Sequence, residues 1–300
     1  MGNARAGRGL ILWTGFVAAG LIAAVRGADE PNPSPPDEAA RAPNRVEVLR
    51  RFADEFVPIT PGEGKFPKSF VMDSKDGPPS ERPPREVMLP HDFAMAKYEV
   101  TQELYEAVTG RNPSVWGGPR NSVEMLSFTD AQRFCARATA MLRDAELIGD
   151  DEEIRLPSEA EWEYCCRAGS TTAYSFGDEA RAANDRGDAA SLLDRHAWHT
   201  GNAAGNDPPV GALAPNEWGL YDMHGYLWEY VADAWHPDHT GAPADGGARD
   251  ATKTHVPRVI RGGSWRDRHE LLRSATRWPI PDHARSDAIG FRCVKASTKR

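Results

Sequence analysis

The chain lacks the sequence motifs that identify the commonest catalytic classes. No His-Glu-x-x-His zinc motif occurs, the pair Gly262-Gly263 is not followed by Gly-Lys-Ser/Thr, and Ser264 does not stand in a Gly-x-Ser-x-Gly elbow. Positive charge is also in deficit, because 36 Lys and Arg face 44 Asp and Glu and leave a formal charge of −8. An acidic surface repels phosphate, so nucleic acid is excluded as an expected partner.

Long hydrophobic runs are missing after the first thirty residues, so no later segment is expected to cross a membrane. Arg5 and Arg8 precede an uncharged run over residues 9–25, which predicts a signal peptide over residues 1–28 and a secreted or periplasmic protein. The run is close to the ~20 residues that span a bilayer, so an uncleaved leader that anchors the chain is the alternative. Residues 29–45 are Pro-rich and polar and predict a disordered linker.

Cysteine is scarce, with four residues at positions 135, 165, 166 and 293. In an oxidising compartment four cysteines can pair in three ways. A strained ring disfavours a bridge between the adjacent Cys165 and Cys166, and the residues alone leave the other pairings open.

Glycine, proline and tryptophan are what the chain has in quantity, at 27, 24 and 9 residues, which favours one loop-rich α+β domain over residues 46–298. Helices are predicted over residues 101–109, from Ser127 to about residue 143, and from Ser158 to a stop at Gly169. Short strands are predicted over residues 86–89, 99–100, 256–261 and 291–294. The composition between residues 169 and 256 predicts long, ordered loops.

Two histidine pairs and a set of oxygen-rich loops are the candidate metal ligands. The pairs His196-x-x-His199 and His236-x-x-His239 have aspartates nearby in sequence, which suits zinc or iron, and solvated loop histidines are the alternative. Loops rich in Asn, Asp and Gly between residues 184 and 233 offer the hard oxygen ligands that calcium prefers outside cells.

Ordered blocks across residues 56–294 identify a family resemblance. The blocks are MAKYEVT from residue 95, RLPSEAEWEY from residue 155, NEWGLYDMHG from residue 216, RGGSW from residue 261 and GFRC from residue 290. Their full set, in order, resembles the formylglycine-generating enzyme (sulfatase-modifying factor) family. The resemblance implies an irregular fold akin to C-type lectins, low in regular secondary structure.

The resemblance also implies structural sites. It implies a disulfide between Cys135 and Cys293, and a second family disulfide at Cys166 whose partner would fall near Ser274, so that bridge is missing here. It implies a calcium loop with Glu229 as ligand, together with backbone carbonyls of residues such as Gly225 and Leu227. Calcium is therefore an expected cofactor.

Active members of the family oxidise a sulfatase cysteine with oxygen and a copper(I) ion that two thiolates hold. The matching positions, counted from Ser264, are Asp267 and Leu272, and no cysteine occurs between residues 261 and 292. Carboxylate and leucine cannot form a soft copper(I) site, so copper is not expected. Ser264 and Tyr230 stand near the family's active site, Tyr230 in place of the usual Trp, and no residue is assigned a catalytic role.

These observations predict an exported family member that acts as a binding or accessory protein and does not generate formylglycine with copper. Its partner is expected to be a protein or glycan ligand, with a sulfatase as one candidate, that binds to loops over residues 177–206 and 236–254. The alternative is an oxidoreductase of the same family that modifies a sulfatase cysteine or uses a different metal.

Overall fold

The computed structural model describes residues 44–205 and 207–299, which lie within one compact unit that begins at Pro43. The predicted signal peptide and nearly all of the predicted linker lie outside the described residues. Over the described ranges, none of the helices combines the length and hydropathy needed to span a bilayer. The elements are short and are joined by long loops, so the mixed α+β class with little regular secondary structure is confirmed.

Four helices are described: α1 (Arg45–Asp54), α2 (Gln102–Thr109), α3 (Phe128–Asp144) and α4 (Glu159–Arg167). The three predicted helices are confirmed, because Thr101, Ser127 and Ser158 each accept a backbone N–H at the helix start. Helices α3 and α4 carry complete capping boxes.

Two details of the helices differ from the prediction. Helix α4 ends one residue earlier than the predicted stop, because Ala168 already adopts the left-handed conformation at φ 48° before Gly169. Helix α1 begins at Arg45 with Asn44 as its N-cap, so the last two residues of the predicted linker belong to a helix and its cap. Its buried stripe of Val48, Leu49 and Phe52 packs into the core, which ties this segment to the domain.

Ten strands form two four-stranded sheets and a hairpin. They are β1 (Phe56–Ile59), β2 (Ser69–Met72), β3 (Arg85–Met88), β4 (Phe93–Ala96), β5 (Glu152–Arg155), β6 (Trp228–Ala234), β7 (Arg258–Arg261), β8 (Arg277–Ile280), β9 (Ile289–Gly290) and β10 (Val294–Ser297). The first sheet has the order β1-β4-β10-β5, β2 pairs with β3, and the second sheet has the order β8-β7-β6-β9. All these pairs are antiparallel except β6 with β9.

The strand predictions are partly wrong. Residues 99–100 form no strand, since the pairing there is a single bridge between Thr101 and Ser122. The predicted strand over residues 291–294 lies in the gap between β9 and β10 and shares only Val294 with them. The longest strand, β6, was not predicted, because its sequence WEYVADA is buried on both faces and shows no alternation. Residues 170–227 contain no helix or strand among those described, in agreement with the predicted loops, whereas β6 interrupts the predicted loop range of residues 169–256.

Buried ion pairs join α4 to the second sheet. Glu159 pairs with Arg277 of β8 at 2.6 Å, and Glu163 pairs with Arg261 of β7, a guanidinium with no exposed surface. Burial acts to raise the pKa of Glu159, but the neighbouring Arg277 and Arg261 guanidinium groups lower this pKa to about 2. These acidic residues of α4 are therefore structural, and Glu163 joins α4 to β7, the strand that leads directly into the Gly-Gly-Ser-Trp turn.

Candidate functional site

The turn that follows β7 holds the candidate site. Gly262 and Gly263 have φ of 96° and 77°, a left-handed path that favours glycine at both positions. The turn buries Ser264 and brings it against Asp267. Asp267 Oδ2 accepts hydrogen bonds from the Ser264 backbone N and Oγ at 2.9 and 2.6 Å, and from Trp228 Nε1 at 2.8 Å. This carboxylate oxygen is therefore fully engaged by protein donors.

Leu272, at the second position counted from Ser264, is a packing residue. Its side chain has no exposed surface and lies in a small apolar cluster with Tyr174 and Leu193. A Cβ placed on Gly225 or Gly263 would come within 2.8 Å of the Leu272 side chain, so both backbones approach it closely. Position 272 thus fills space between two loops and offers no ligand atom from its side chain.

The copper(I) ion that the family resemblance implies does not fit this donor set. A soft ion of this kind is held by thiolates, whereas Asp267 gives a hard oxygen already bound by three donors and Leu272 gives hydrocarbon. All four cysteines are buried and free. Burial raises the pKa of the Cys166 thiol to about 12, which disfavours the thiolate form.

Cys135 and Cys293 come together in the core, as the resemblance implied. Their sulfurs lie 3.9 Å apart without a covalent bond, between α3 and the segment that leads into β10. The disulfide between them stays a prediction.

Tyr230 does not contact the Ser264 turn through its hydroxyl. The ring is fully buried against Phe128, and the hydroxyl donates to the Ala284 carbonyl at 2.9 Å. The aromatic residue that contacts Asp267 is Trp228, two residues earlier in β6. Tyr230 is thus a core residue with a satisfied hydroxyl.

Glu229, the expected calcium ligand, lies at the centre of a buried polar cluster. Both of its oxygens accept from the Arg292 guanidinium at 2.7 Å, and Oε2 also accepts from Trp162 Nε1 at 2.8 Å. A cation at Glu229 would have to displace or share the charge of Arg292, so the carboxylate as described fits calcium poorly. The loop carbonyls of Gly225 and Leu227 precede it, and calcium binding there stays a prediction.

The histidine pairs do not converge on one centre. Each ring has a partner of its own, and His196 stacks on Phe176. The other three rings lie close to aspartates: His199 to Asp194 at 2.7 Å, His236 to Asp250 at 2.9 Å and His239 to Asp73 at 3.2 Å. Within residues 44–205 and 207–299, no group of three or more His, Cys, Asp or Glu side chains is arranged around a common metal position.

A cavity of about 170 Å³, which no sequence motif predicts, opens beside the turn. Its apolar walls are Trp116, Tyr226, Leu227 and Trp265, and we call it the aromatic cavity. Trp265 directly follows Ser264, and its backbone N donates to the Tyr226 carbonyl at 2.9 Å. The wall residues come from three separate loops, which is why no motif in the sequence marks them.

Three carboxylates also line the aromatic cavity: Glu124, Asp207 and Asp287. Burial raises the pKa of Glu124, against the opposing hydrogen bonds from the backbone N–H groups of Trp116 and Val115. Burial likewise raises the pKa of the Tyr226 hydroxyl, which donates to Asp207 Oδ1 at 2.9 Å. The cavity thus combines aromatic faces with acidic side chains.

A family model described as the sulfatase-modifying factor enzyme 1-like domain matches residues 45–297. The formylglycine-generating enzyme of Mycobacterium tuberculosis is 31% identical over 157 residues, which cover 47% of this chain and 50% of that relative. The chain thus spans about half the length of this relative. The inactive C-alpha-formylglycine-generating enzyme 2 of Mus musculus is 25% identical over 289 residues, covering 88% of this chain and 81% of the mouse protein.

Among solved structures, that of PvdO from Pseudomonas aeruginosa is similar to the chain with a TM-score of 0.65 and 30% identity. The match covers 76% of this chain and 91% of PvdO. The irregular α+β fold that the ordered sequence blocks implied is confirmed by this likeness.

Proposed function

Because the chain belongs to the sulfatase-modifying factor enzyme 1-like domain family, we propose that it is an exported member that works by binding, as an accessory protein. In this proposal it does not generate formylglycine with copper. In this proposal the fold is a scaffold, and the loops over residues 177–206 and 236–254 form the surface that binds the partner. The partner is a protein or glycan, with a sulfatase as one candidate.

The hydrogen bonding of Asp267 is the observation that carries the proposal. In place of a metal-binding thiolate, the chain has a carboxylate that accepts three hydrogen bonds and holds the Ser264 turn closed. In place of the second thiolate the chain has Leu272, whose side chain packs against the backbones of Gly225 and Gly263. Both substitutions therefore have structural roles in the position where the family resemblance implies reacting groups.

The relatives include names that favour the accessory role and names that favour the alternative, an oxidase. The mouse relative carries the word inactive in its name and matches most of this chain, which favours the accessory role. The Mycobacterium tuberculosis relative is named as a formylglycine-generating enzyme, which favours the alternative of an oxidase that modifies a sulfatase cysteine. A direct assay separates them.

The assay incubates the purified chain with a short peptide that carries a sulfatase cysteine motif, oxygen, a reductant and added copper, and measures peptide aldehyde by mass spectrometry. The Mycobacterium tuberculosis relative serves as the positive control under the same conditions. We expect no aldehyde from this chain. Aldehyde formed at a rate above a no-protein control, and abolished by a copper chelator, would overturn the proposal.

Metal analysis of the same preparation tests the other cofactor expectations. The absence of stoichiometric copper, zinc or iron is the result that this proposal expects, and calcium near one per chain would place an ion at the loop that precedes Glu229. Stoichiometric zinc or iron would instead support the alternative of an oxidoreductase that uses a different metal.

A further inference from the structure

We propose that the aromatic cavity is a binding site for an organic cation, a guanidinium or ammonium group carried on an apolar stem. The site lies beside the Ser264 turn, where Trp265 forms one wall and Trp116 stands at the mouth. This assignment goes beyond the accessory role because it names a ligand class, and it does not depend on whether the chain oxidises cysteine.

Glu124 is the first observation that points to a ligand. The residue is 3% exposed, and its Oε1 accepts from the backbone N of Val115 at 2.5 Å and of Trp116 at 3.2 Å. Its Oε2 is buried and has no hydrogen-bond partner among the residues that the structure describes. A buried carboxylate oxygen without a donor costs free energy, and an N–H donor that enters the cavity would remove that cost.

The charge around the cavity is the second observation. Of the three lining carboxylates, Asp287 is neutralised by an ion pair with Arg266, whereas the side-chain donors to Asp207 among the described residues are the neutral Asn121 and Tyr226. No described Lys, Arg or His side chain forms an ion pair with Glu124 or Asp207. The cavity consequently presents an excess of negative charge, which attracts a cation and repels an anion.

The aromatic faces are the third observation. The Arg266 guanidinium lies 4.6 Å from the centroid of the Trp265 ring, so this indole already takes part in a cation–π contact from one side. Trp116 is 51% exposed and Val115 is 62% exposed, which leaves an apolar rim for the stem of a ligand. A neutral apolar ligand would use the rim but would leave Glu124 unpaired.

The test compares butylguanidinium with butylurea, which has nearly the same shape but no charge, by calorimetry and by tryptophan fluorescence on the full domain. We expect butylguanidinium to bind at least about tenfold more tightly, the difference expected for a charge-assisted hydrogen bond to a buried carboxylate. Equal affinity for the two probes, or no binding of either, would overturn the cation site.

Two variants locate the binding. Glu124→Gln keeps an acceptor for the Val115 and Trp116 N–H groups but removes the charge, and it should weaken butylguanidinium binding about tenfold or more. Trp116→Ala removes a half-exposed ring and should also weaken binding while the domain stays folded. Glu106→Gln, at an exposed position on α2, is the matched control and should bind like the wild type. Unchanged affinity in both cavity variants would overturn the assignment.

A further arm separates the two sources of such a cation. The peptide acetyl-Ala-Arg-Ala-amide presents the same guanidinium on a polypeptide, so tighter binding of the peptide supports a protein partner. Tighter binding of butylguanidinium supports a free small molecule, and either ranking supports the cation site.

Discussion

Position 274 is a serine where the family resemblance places the partner of Cys166 in a second disulfide. Ser274 is fully buried, and its Oγ lies beside the Cys166 thiol without a hydrogen bond of good geometry. We predict that Ser274→Cys forms this disulfide during oxidative refolding and stabilises the domain by about 2–4 kcal/mol, because it closes a long loop in the unfolded chain. Urea unfolding with and without reductant measures the gain.

The matched control for this variant is Ser274→Ala, which keeps the packing but cannot form a bridge and should show no response to reductant. Peptide mapping should find residues 166 and 274 in one cross-linked peptide. A bridge to Cys165 instead, or an alkylatable thiol at position 274, would contradict the prediction.

The Asp267 and Leu272 pair allows a reversal experiment. If these two positions are the only obstacle to a copper(I) site, Asp267→Cys combined with Leu272→Cys should create a two-thiolate site that binds about one copper(I) per chain. Competition against a colorimetric copper(I) chelator measures the affinity. Asp267→Cys alone, with one thiolate, is the control and should bind much more weakly; equal binding by the single and double variants would contradict the prediction.

The surroundings of a single residue could be predicted only where the residues that contact it lie close to it in the sequence. The positions of Asp267 and Leu272 could be counted from Ser264 because all three lie within nine residues of the chain, and the assignment of these positions to the family's copper site stays a prediction. The three hydrogen bonds to Asp267 could not be predicted in full, because Trp228 reaches it from a strand 39 residues away. Glu124 was missed for the same reason, since the loops that bury it are distant in sequence.

At the scale of elements, the buried pair Glu229–Arg292 links β6 to the segment between β9 and β10. Arg292 has no exposed surface, and besides Glu229 it donates to the Tyr221 carbonyl at 2.9 Å. We predict that Arg292→Ala lowers the free energy of unfolding by roughly 3–5 kcal/mol, because it leaves a buried carboxylate without its counter-charge. Equilibrium urea unfolding measures this loss.

The control for that variant is Lys295→Ala on β10, which removes a partly exposed contact with Glu152 at 3.5 Å. Its cost should stay within about 1 kcal/mol, as for surface pairs in general. Similar losses in the two variants would contradict the prediction that the buried pair contributes more to stability than a partly exposed one.

The helices could be predicted from the sequence and most strands could not, for a physical reason. Helices α2, α3 and α4 each begin with a side chain that caps its own first turn, so the signal is local. Strands such as β6 depend on partners elsewhere: β6 pairs with β7 and β9, which come at least 24 residues later in the chain. Pairing of this kind leaves little trace in a four-residue window.

At the scale of the whole molecule, the domain buries many acidic groups, and only some of them have counter-charges. Burial raises the pKa of Asp222 to about 6. Burial also raises the pKa of Glu99 well above the ordinary range, and the like charge of Glu229 adds to that rise. Burial and the neighbouring Glu159 raise the pKa of Asp233 to about 7. Such groups make the folded state take up protons more readily than the unfolded chain.

The pH dependence of stability follows from Asp233 with a definite sign. The folded pKa is above the ordinary value of 3.8, so its contribution to stability is lost as pH rises toward 7. We predict that the free energy of unfolding is lower at pH 8 than at pH 5.5, with roughly 2 kcal/mol of the difference due to Asp233. Glu159, with a pKa of about 2, acts in the opposite direction only below about pH 4.5.

Substitution of Asp233 isolates its share of that pH dependence. The carboxylate accepts from the backbone N of Glu159 and of Arg249, both at 2.7 Å, and Arg277 is the cation that partly offsets its charge. Asp233→Asn keeps one acceptor but cannot ionise, so unfolding between pH 5.5 and 8 should become less pH-dependent, even though the variant is less stable at pH 5.5. Asp92→Asn, at an exposed position, should keep the wild-type slope. If Asp233→Asn also keeps that slope, the titrating group lies elsewhere, and Asp222 and Glu99 become the next positions to substitute.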